Sequence, residues 1–310
     1  MNTLYFKYAI EVERSRSITQ AAENLFMAQP NLSKAIKELE DTLGYAIFER
    51  TPKGVIPTAQ GTQFLQHARN IVQQLEQMES IADKGSDLTQ RFSLSFPRVS
   101  YISQAITRLV SKLDKEKGIH VNVMETNSIQ SVANVVDGRF NLGIIRYQMT
   151  YEQYFKDFLS EKKLCYEPIW EFEHLVIMSK NNPLAEAETI TVNDLKPYIE
   201  IAHGDNVIPY LMSENVGYSE ASTKRRIDLY ERGNQFELLC NIPETFMWVS
   251  PVPNDIVQRY NLVQRKCPFQ GNKYKDVLIY QKGYAFTDID KRFIDKLYSS
   301  KNEVSFCTYR

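Results

Sequence analysis

Two short segments of helical periodicity stand barely four residues apart, with a proline opening the second and a glycine closing it, and this leaves residues 17–44 few ways to fold. Ser17 precedes Ile18-Thr19-Gln20 with Gln20 at the third helical position, the pattern of a capped helix start. That predicts a helix over 18–24, with Ala21 and Ala22 where two helices need to touch closely. Residues 25–28 form the turn. Pro30 suits the first turn of a following helix, where its missing N–H costs nothing. This helix is predicted over 30–43 and stops at Gly44. Leu32, Ile36, Leu39 and Leu43 form its inward stripe, while Gln29, Ser33, Lys34 and Lys37 occupy the other face. Leu4, Tyr8 and Val12, with Phe6 and Ile10, predict a preceding amphipathic helix ending at residues 14–16. Residues 46–57 hold two short β-prone pieces around a Pro/Lys/Gly tip. Two helices joined by a short turn and followed by such a hairpin make a helix-turn-helix with a wing.

Thr58 caps a longer helix running to about residue 83. Phe64, Ala68, Ile71, Leu75, Met78 and Ala82 recur at spacings of four and three, a period near 3.5 that suits pairing with another helix. Packing on its own domain is the other reading of the same seam. Gly85-Ser86-Asp87 marks a boundary, and the pattern then changes. Strands are expected at 92–96, 119–123, 141–145, 175–178, 199–201, 247–249 and 277–280. Helices are expected between the first three, at 192–195 and at 288–298. Alternation of this kind implies a parallel α/β sheet. The expected organisation is residues 1–60, a linker helix over 58–88, and a region over 89–310 with two lobes, the first at about 91–165 and 266–300, the second at about 166–265.

Composition narrows the function. The 310 residues are 43% apolar and 24% charged with a net charge of -1, so the chain folds into compact domains and carries no global field for nucleic acid or membranes. Seven basic and seven acidic residues balance over positions 1–60, so any polyanion contact there must come from geometry. Cys165, Cys240, Cys267 and Cys307 include no CxxC pair, which argues against a zinc knuckle or a disulfide scaffold. Lys7, Glu11 and Glu13 interrupt the first apolar run, so no signal peptide is read there, and no stretch reaches the roughly 18–20 apolar residues of a membrane span. A cytoplasmic location is expected. There is no GxSxG, GxxxxGK[ST], HExxH or post-strand GxGxxG motif, and His67, His120, His174 and His203 lack metal-ligand spacing. An enzyme, a cofactor and a metal are therefore not expected.

The run SRSITQAAENL, then QPNLSKAIKELEDTLGYAIFERTPKGVIPTAQG, resembles the winged helix-turn-helix of LysR-type transcriptional regulators. The shared features are the Ser-then-AA-x-x-L helix, Gln29-Pro30, Ser33, Leu39-Glu40-x-x-Leu43-Gly44, Phe48-x-Arg50 and Thr58-x-x-Gly61. The resemblance covers about 60 contiguous residues, with weaker echoes such as Asn182-Pro183-Leu184-Ala185 further on. It implies a fold in which an α-dominated winged head is joined by a linker helix to a two-lobed α/β effector-binding domain resembling periplasmic binding proteins. It also implies a homodimer or homotetramer paired through the linker helix, palindromic promoter DNA as a partner, a small-molecule effector in the cleft, and RNA polymerase as a further partner.

Base edges in the major groove are told apart by hydrogen bonds, so Gln29 and Asn31 suit adenine, Ser33 a base or phosphate, and Lys34 and Lys37 phosphate or guanine. Thr19 and Pro30 complete that face, with Arg50 and Lys53 on the wing. Ligands of open α/β sheets sit at strand carboxyl ends, which nominates Arg98, Ser100, Thr126, Asn127, Arg146 and His203, and Thr245 is added as the residue before the strand at 247–249; the two arginines would suit a carboxylate. Where the family commonly has a Gly-x-Gly-hydrophobic turn, residues 241–246 read Asn-Ile-Pro-Glu-Thr-Phe, and Glu244 and Phe246 disfavour a small-anion pocket on that side. Redox sensing by Cys240 and Cys267 is a second regulator reading. A solute-binding protein would account for residues 91–310 alone.

Overall fold

The structure, a computed structural model, describes residues 2–52, 54–82, 89–205 and 225–309. It divides into two units: residues 1–88 with 136–139, and residues 89–135 with 140–310.

The first unit opens with α1 (Leu4–Ser15), α2 (Ile18–Asn24) and α3 (Gln29–Leu43). Ser17 Oγ accepts a hydrogen bond from the Gln20 N–H at 3.3 Å, as the cap pattern predicts. The other half of the box is absent, because the Gln20 amide turns along the helix to Asn24 at 3.1 Å. Phe6, Ala9, Val12, Ala21, Ala22, Leu32, Ile36 and Leu39 form one buried core. The wing is the antiparallel pair β1 (Phe48–Thr51) and β2 (Gly54–Pro57), with Phe48 opposite Pro57. The Glu40 carboxylate on α3 accepts from the N–H groups of Ile47 and Phe48 at 2.7 and 3.1 Å, tying the wing to α3. Gly54 has φ 111°, and a Cβ there would come within 2.7 Å of the Arg16 carbonyl, to which Val55 N–H donates.

The helix α4 (Ala59–Ala82) follows. Thr58 Oγ1 donates to the Ala46 carbonyl and accepts from the Gly61 N–H, both at 2.8 Å. Gly61 lies so near the wing that an added Cβ would stand 1.9 Å from the Ile47 carbonyl oxygen. Thr58-x-x-Gly61 is therefore a cap together with a close backbone crossing.

The predicted helical seam is divided. Phe64 and Ala68 are buried in the head's own core, Phe64 edge-on to Phe6 at 5.5 Å, so packing within the domain claims them and they are not free for a second chain. Ile71 remains 40% exposed and Leu75 half-buried. The side chains of Met78 and Ala82, and the break at 85–87, lie outside the described residues.

The second unit contains β3 (Gln90–Phe96), α5 (Ser100–Val110), β4 (Ile119–Glu125), α6 (Ser128–Val136), β5 (Leu142–Gln148), α7 (Glu152–Glu161) and β6 (Leu164–Phe172). The chain then forms β7 (Leu175–Ser179), α8 (Val192–Leu195), β8 (Ile199–His203), β9 (Arg226–Leu229), α9 (Gln235–Asn241), β10 (Thr245–Val249), α10 (Asn254–Arg259) and β11 (Leu262–Arg265), and returns through β12 (Tyr274–Gln281) and α11 (Asp288–Ser305). Two five-stranded sheets result, ordered β4-β3-β5-β12-β6 in lobe I and β11-β7-β10-β8-β9 in lobe II.

Each sheet is mixed rather than parallel. β3, β4 and β5 run together, as do β8, β9 and β10, while β12, β6, β7 and β11 run against their neighbours. The antiparallel strands include those that carry the chain between lobes, and the sequence pattern underrates them. β6, whose middle holds Pro168, belongs to lobe I, so that lobe extends to residue 172 rather than 165. The proline is tolerated because β6 is an edge strand and its register with β12 shifts by one residue there: Asp276 faces Trp170 and Val277 faces Pro168. Among the described residues no helix is long and apolar enough to cross a membrane.

Candidate functional site

In the first unit the nominated face of α3 is presented as its periodicity requires. Pro30, Asn31, Lys34 and Lys37 are exposed and Gln29 and Ser33 half-buried, while Leu32, Ile36 and Leu39 turn inward. Spacings of three and four keep Pro30, Ser33, Lys34 and Lys37 on one side of the helix. Lys34 is tethered only loosely, 3.8 Å from Glu38 one turn on, and both are exposed. Thr19 on α2 and Arg50 on β1 are exposed as well; Lys53 lies outside the described residues. The α2–α3 turn also holds Phe26, which sequence reasoning overlooked. It is 98% exposed with φ 53°, a left-handed conformation uncommon for an aromatic residue.

The second unit holds a cavity of about 260 Å³ between its lobes. Its walls come from the carboxyl ends of β3, β4 and β5 in lobe I and of β8 and β10 in lobe II. Arg98, Ser100, Thr126, Asn127, Arg146 and His203 all line it. Thr245 does not. It opens β10 at the end remote from the cavity, fully buried, and its hydroxyl donates to the Ile242 carbonyl at 2.7 Å. The 241–246 turn lies at that same end, and Phe246 is wholly buried in the core of lobe II, so Glu244 and Phe246 have no bearing on which ligands the cavity admits. The cavity meets β10 at its other end, through Met247, Trp248 and Val249.

The two arginines are not waiting for a ligand. Arg98 donates to both carboxylate oxygens of Asp205 at 2.8 and 3.1 Å and to the Tyr230 carbonyl at 2.5 Å, joining lobe I to lobe II. A second clasp runs the other way: Arg232 of lobe II donates to Glu125 at 2.5 Å and to Ser100 at 2.8 Å. Arg146 is paired within its own sheet. It stands directly across the strands from Asp276, donating to both oxygens at 2.7 Å, and its guanidinium covers the Phe172 ring at 4.5 Å. Asp276 is completely buried and also accepts from the Tyr101 hydroxyl at 2.7 Å. Burial, with the Asp276 charge second, pushes the Tyr101 phenol well above its usual value and keeps it a donor.

Both histidines on the wall are uncharged at neutral pH. Burial first, then Arg98, lowers the His203 imidazole to about 4. Burial and Arg146 hold His174 well below the ordinary value. Thr126 N–H donates to the Phe96 carbonyl at 2.8 Å, and Asn127 Oδ1 accepts from the Gln130 N–H at 2.8 Å, capping α6.

Three buried side-chain atoms on the lobe II wall have no hydrogen-bond partner among the described residues: Gln235 Oε1, His203 Nδ1 and Trp248 Nε1. Each buried group left unpaired costs about 1–3 kcal/mol. Gln235 opens the short α9, and Trp248 sits within an apolar strand; neither position stands out in a sequence. Of the cysteines, Cys267 is buried and its thiol is pushed up to about 11 by burial, the opposite of a reactive thiolate. Among the described residues no group of three His, Cys, Asp or Glu side chains gathers to hold a metal.

A winged helix-turn-helix with an exposed polar face is a DNA-binding architecture, and the two-lobed α/β unit encloses a cavity. Residues 5–62 match the family described as bacterial regulatory helix-turn-helix protein, lysR family. The transcriptional regulator AlsR of Bacillus subtilis is 22% identical over 267 residues, 84% of this chain and 83% of that protein. In fold, the chain is similar to ArgP from Mycobacterium tuberculosis (TM-score 0.64, 15% identity, 99% and 98% of the two chains) and to full-length OxyR from Pseudomonas aeruginosa (0.63, 14%, 99% and 96%). Residues 5–62 thus carry a lysR-family helix-turn-helix domain, and the full-length fold is similar to those of ArgP and OxyR.

Proposed function

We propose that the chain reads palindromic promoter sites as a homo-oligomer and that a small molecule in the lobe I–lobe II cavity controls this reading. The observation that carries it is the division of α3 into a buried apolar stripe and an exposed polar face beside a wing. In this reading Gln29, Asn31, Ser33 and Pro30 approach base edges. Lys34 and Lys37 meet guanine or phosphate, and Thr19, Arg50 and Lys53 hold the backbone. Helix-turn-helix proteins commonly bind two half-sites as dimers, and the exposed Ile71 with Leu75 on α4 supplies an apolar strip for a second copy. Residues 1–60 then act as the reading head, 58–88 as the linker and 89–310 as the sensor. Ser100, Thr126, Asn127 and His203 act as wall groups, and Arg98 and Arg146 as paired scaffolding of the site. A ligand that prefers one lobe arrangement shifts the population of DNA-binding states by its differential affinity, with RNA polymerase as the downstream contact and the cytoplasm as the location. A catalytic role is not part of this reading.

The test is binding of the full chain to fragments from its own upstream region across a salt series. Phosphate contacts make log affinity fall steeply with log salt, and a flat line rejects the reading. Lys34→Ala should weaken binding by about 1–3 kcal/mol if the lysine meets a base, or lower the salt slope by about 1 if it meets phosphate. Leu75→Asp should dissociate the oligomer in sizing measurements.

A further inference from the structure

We propose that the cavity takes a small uncharged aromatic or heteroaromatic molecule bearing both a hydrogen-bond donor and an acceptor, read by Gln235, His203 and Trp248, rather than a carboxylate. The proposal rests on the reading of the cavity as the effector site and concerns what the site selects.

Charge comes first. Among the described residues both arginines on the wall already hold carboxylates of the chain, Asp205 and Asp276, each through two hydrogen bonds. An anionic ligand would have to displace one of them, and the Asp276 carboxylate is fully buried under Tyr101. The two histidines bring no positive charge. No cationic side chain among the described residues of this wall is left to reward a carboxylate for losing its water, and the lining also holds the buried Glu200.

The unpartnered atoms then say what is rewarded. Gln235 is only 3% exposed, lines the cavity and leaves its amide oxygen without a donor. The Trp248 indole carries an N–H and can only donate. His203 Nδ1, on a neutral ring, adds a further unmet site. β8 and β10 run side by side and parallel, with Ile201 opposite Met247, so His203 and Trp248 reach the same sheet end from opposite faces, and Gln235 comes from the start of α9, which packs on the Ile201–Met247 face. A ligand meeting all three must accept from the indole and donate to the amide oxygen. The remaining wall is rich in rings, Tyr147, Phe155, Phe269 and Tyr274 among them, which suits a flat apolar body. A primary aromatic amide has these properties; its parent carboxylate has the same shape but no donor and a full charge. The size is modest, below the roughly 300–1,000 Å³ of drug-sized sites, so a one-ring or compact two-ring ligand fits.

The experiment uses the full chain and matched pairs of probes, benzamide against benzoate and nicotinamide against nicotinate. Binding is followed by calorimetry and by Trp248 fluorescence in a Trp170→Phe background, since the chain has two tryptophans. The expected result is at least tenfold tighter binding of the amide than of its carboxylate in one pair. Gln235→Met should reduce amide binding about tenfold and leave the carboxylate unmoved. Trp248→Phe, followed by calorimetry, gives an independent check if the first variant folds poorly. Equal or tighter carboxylate binding overturns the proposal. So does silence from both members of both pairs at millimolar concentration, or amide binding indifferent to both substitutions. An amide that binds with the stated preference but leaves DNA affinity unchanged upholds the ligand class and overturns the effector reading instead.

Discussion

The two walls of the cavity are built from opposite kinds of polar group. In lobe I, Arg146, Asp276 and Tyr101 close a network in which a fully buried carboxylate has its charge matched across the strands. In lobe II, Gln235, His203 and Trp248 each leave an atom unanswered among the described residues. The first wall has finished its chemistry during folding, and the second has not. A buried network without gaps rigidifies, whereas an unsatisfied one lowers stability until something arrives to complete it. Selectivity therefore belongs to lobe II and rigidity to lobe I.

Removing one partner from the finished wall should have the largest effect. Asp276→Ala leaves the Arg146 guanidinium buried without its counter-charge and should cost about 3–5 kcal/mol in chemical denaturation. The double change Asp276→Leu with Arg146→Met should recover most of this, because well-packed apolar residues often replace a buried pair without loss. A single variant as stable as the parent would break the comparison.

Acid should act next, through the lobe II wall. The His203 imidazole lies at about 4 in the folded chain and near 6.5 when unfolded, so below pH 6.5 the unfolded state takes up the proton first. Stability is complete above about pH 6.5 and falls progressively towards pH 4, by about 3 kcal/mol from this group. His203→Phe should flatten that part of the profile. His174 adds to the same slope in the same direction.

The clasp between lobes is less deeply buried than the Arg146–Asp276 pair and should matter less. Arg232→Met removes donations to Glu125, Ser103 and Ser100 and should cost about 1–3 kcal/mol, with a more open second unit in solution scattering. The smallest effect is expected at Gln235→Met. It deletes an unpaired buried oxygen for a side chain of similar length, so stability should stay within about 1 kcal/mol of the parent or rise. A large loss there would mean that Gln235 is structural, and that the contrast between the walls is false.

The head was readable residue by residue because its determinants are neighbours: a cap three residues from the N–H that donates to it, a proline at a helix start, a glycine at a crossing. The cavity was readable only in outline. Strand carboxyl ends picked out six of its residues, but partners 107 and 130 positions away, Asp205 and Asp276, decide what Arg98 and Arg146 do. Aspartate before the apolar run 277–280 was a visible signal of a buried charge, and Arg146 at a strand end was its counterpart. Thr245 was misplaced because it precedes the apolar run 247–249 and so stands at the amino end of β10, whereas the cavity lies at the carboxyl end. β6 stayed hidden because an edge strand with a register shift can hold a proline that would break a central one. α11 runs to Ser305 rather than 298 because Ser300 and Val304 continue its buried stripe through polar residues.

The crossing at Gly61 has a mechanical consequence. With the Ile47 carbonyl seated where a side chain would stand, and Thr58 bonded to both sides, the base of the long helix and the root of the wing are welded into one piece. Close-packed contacts transmit strain with little give. A twist applied along the rod of α4 is thus delivered to the hairpin without slack, and enlarging this glycine would work like a wedge driven into the joint.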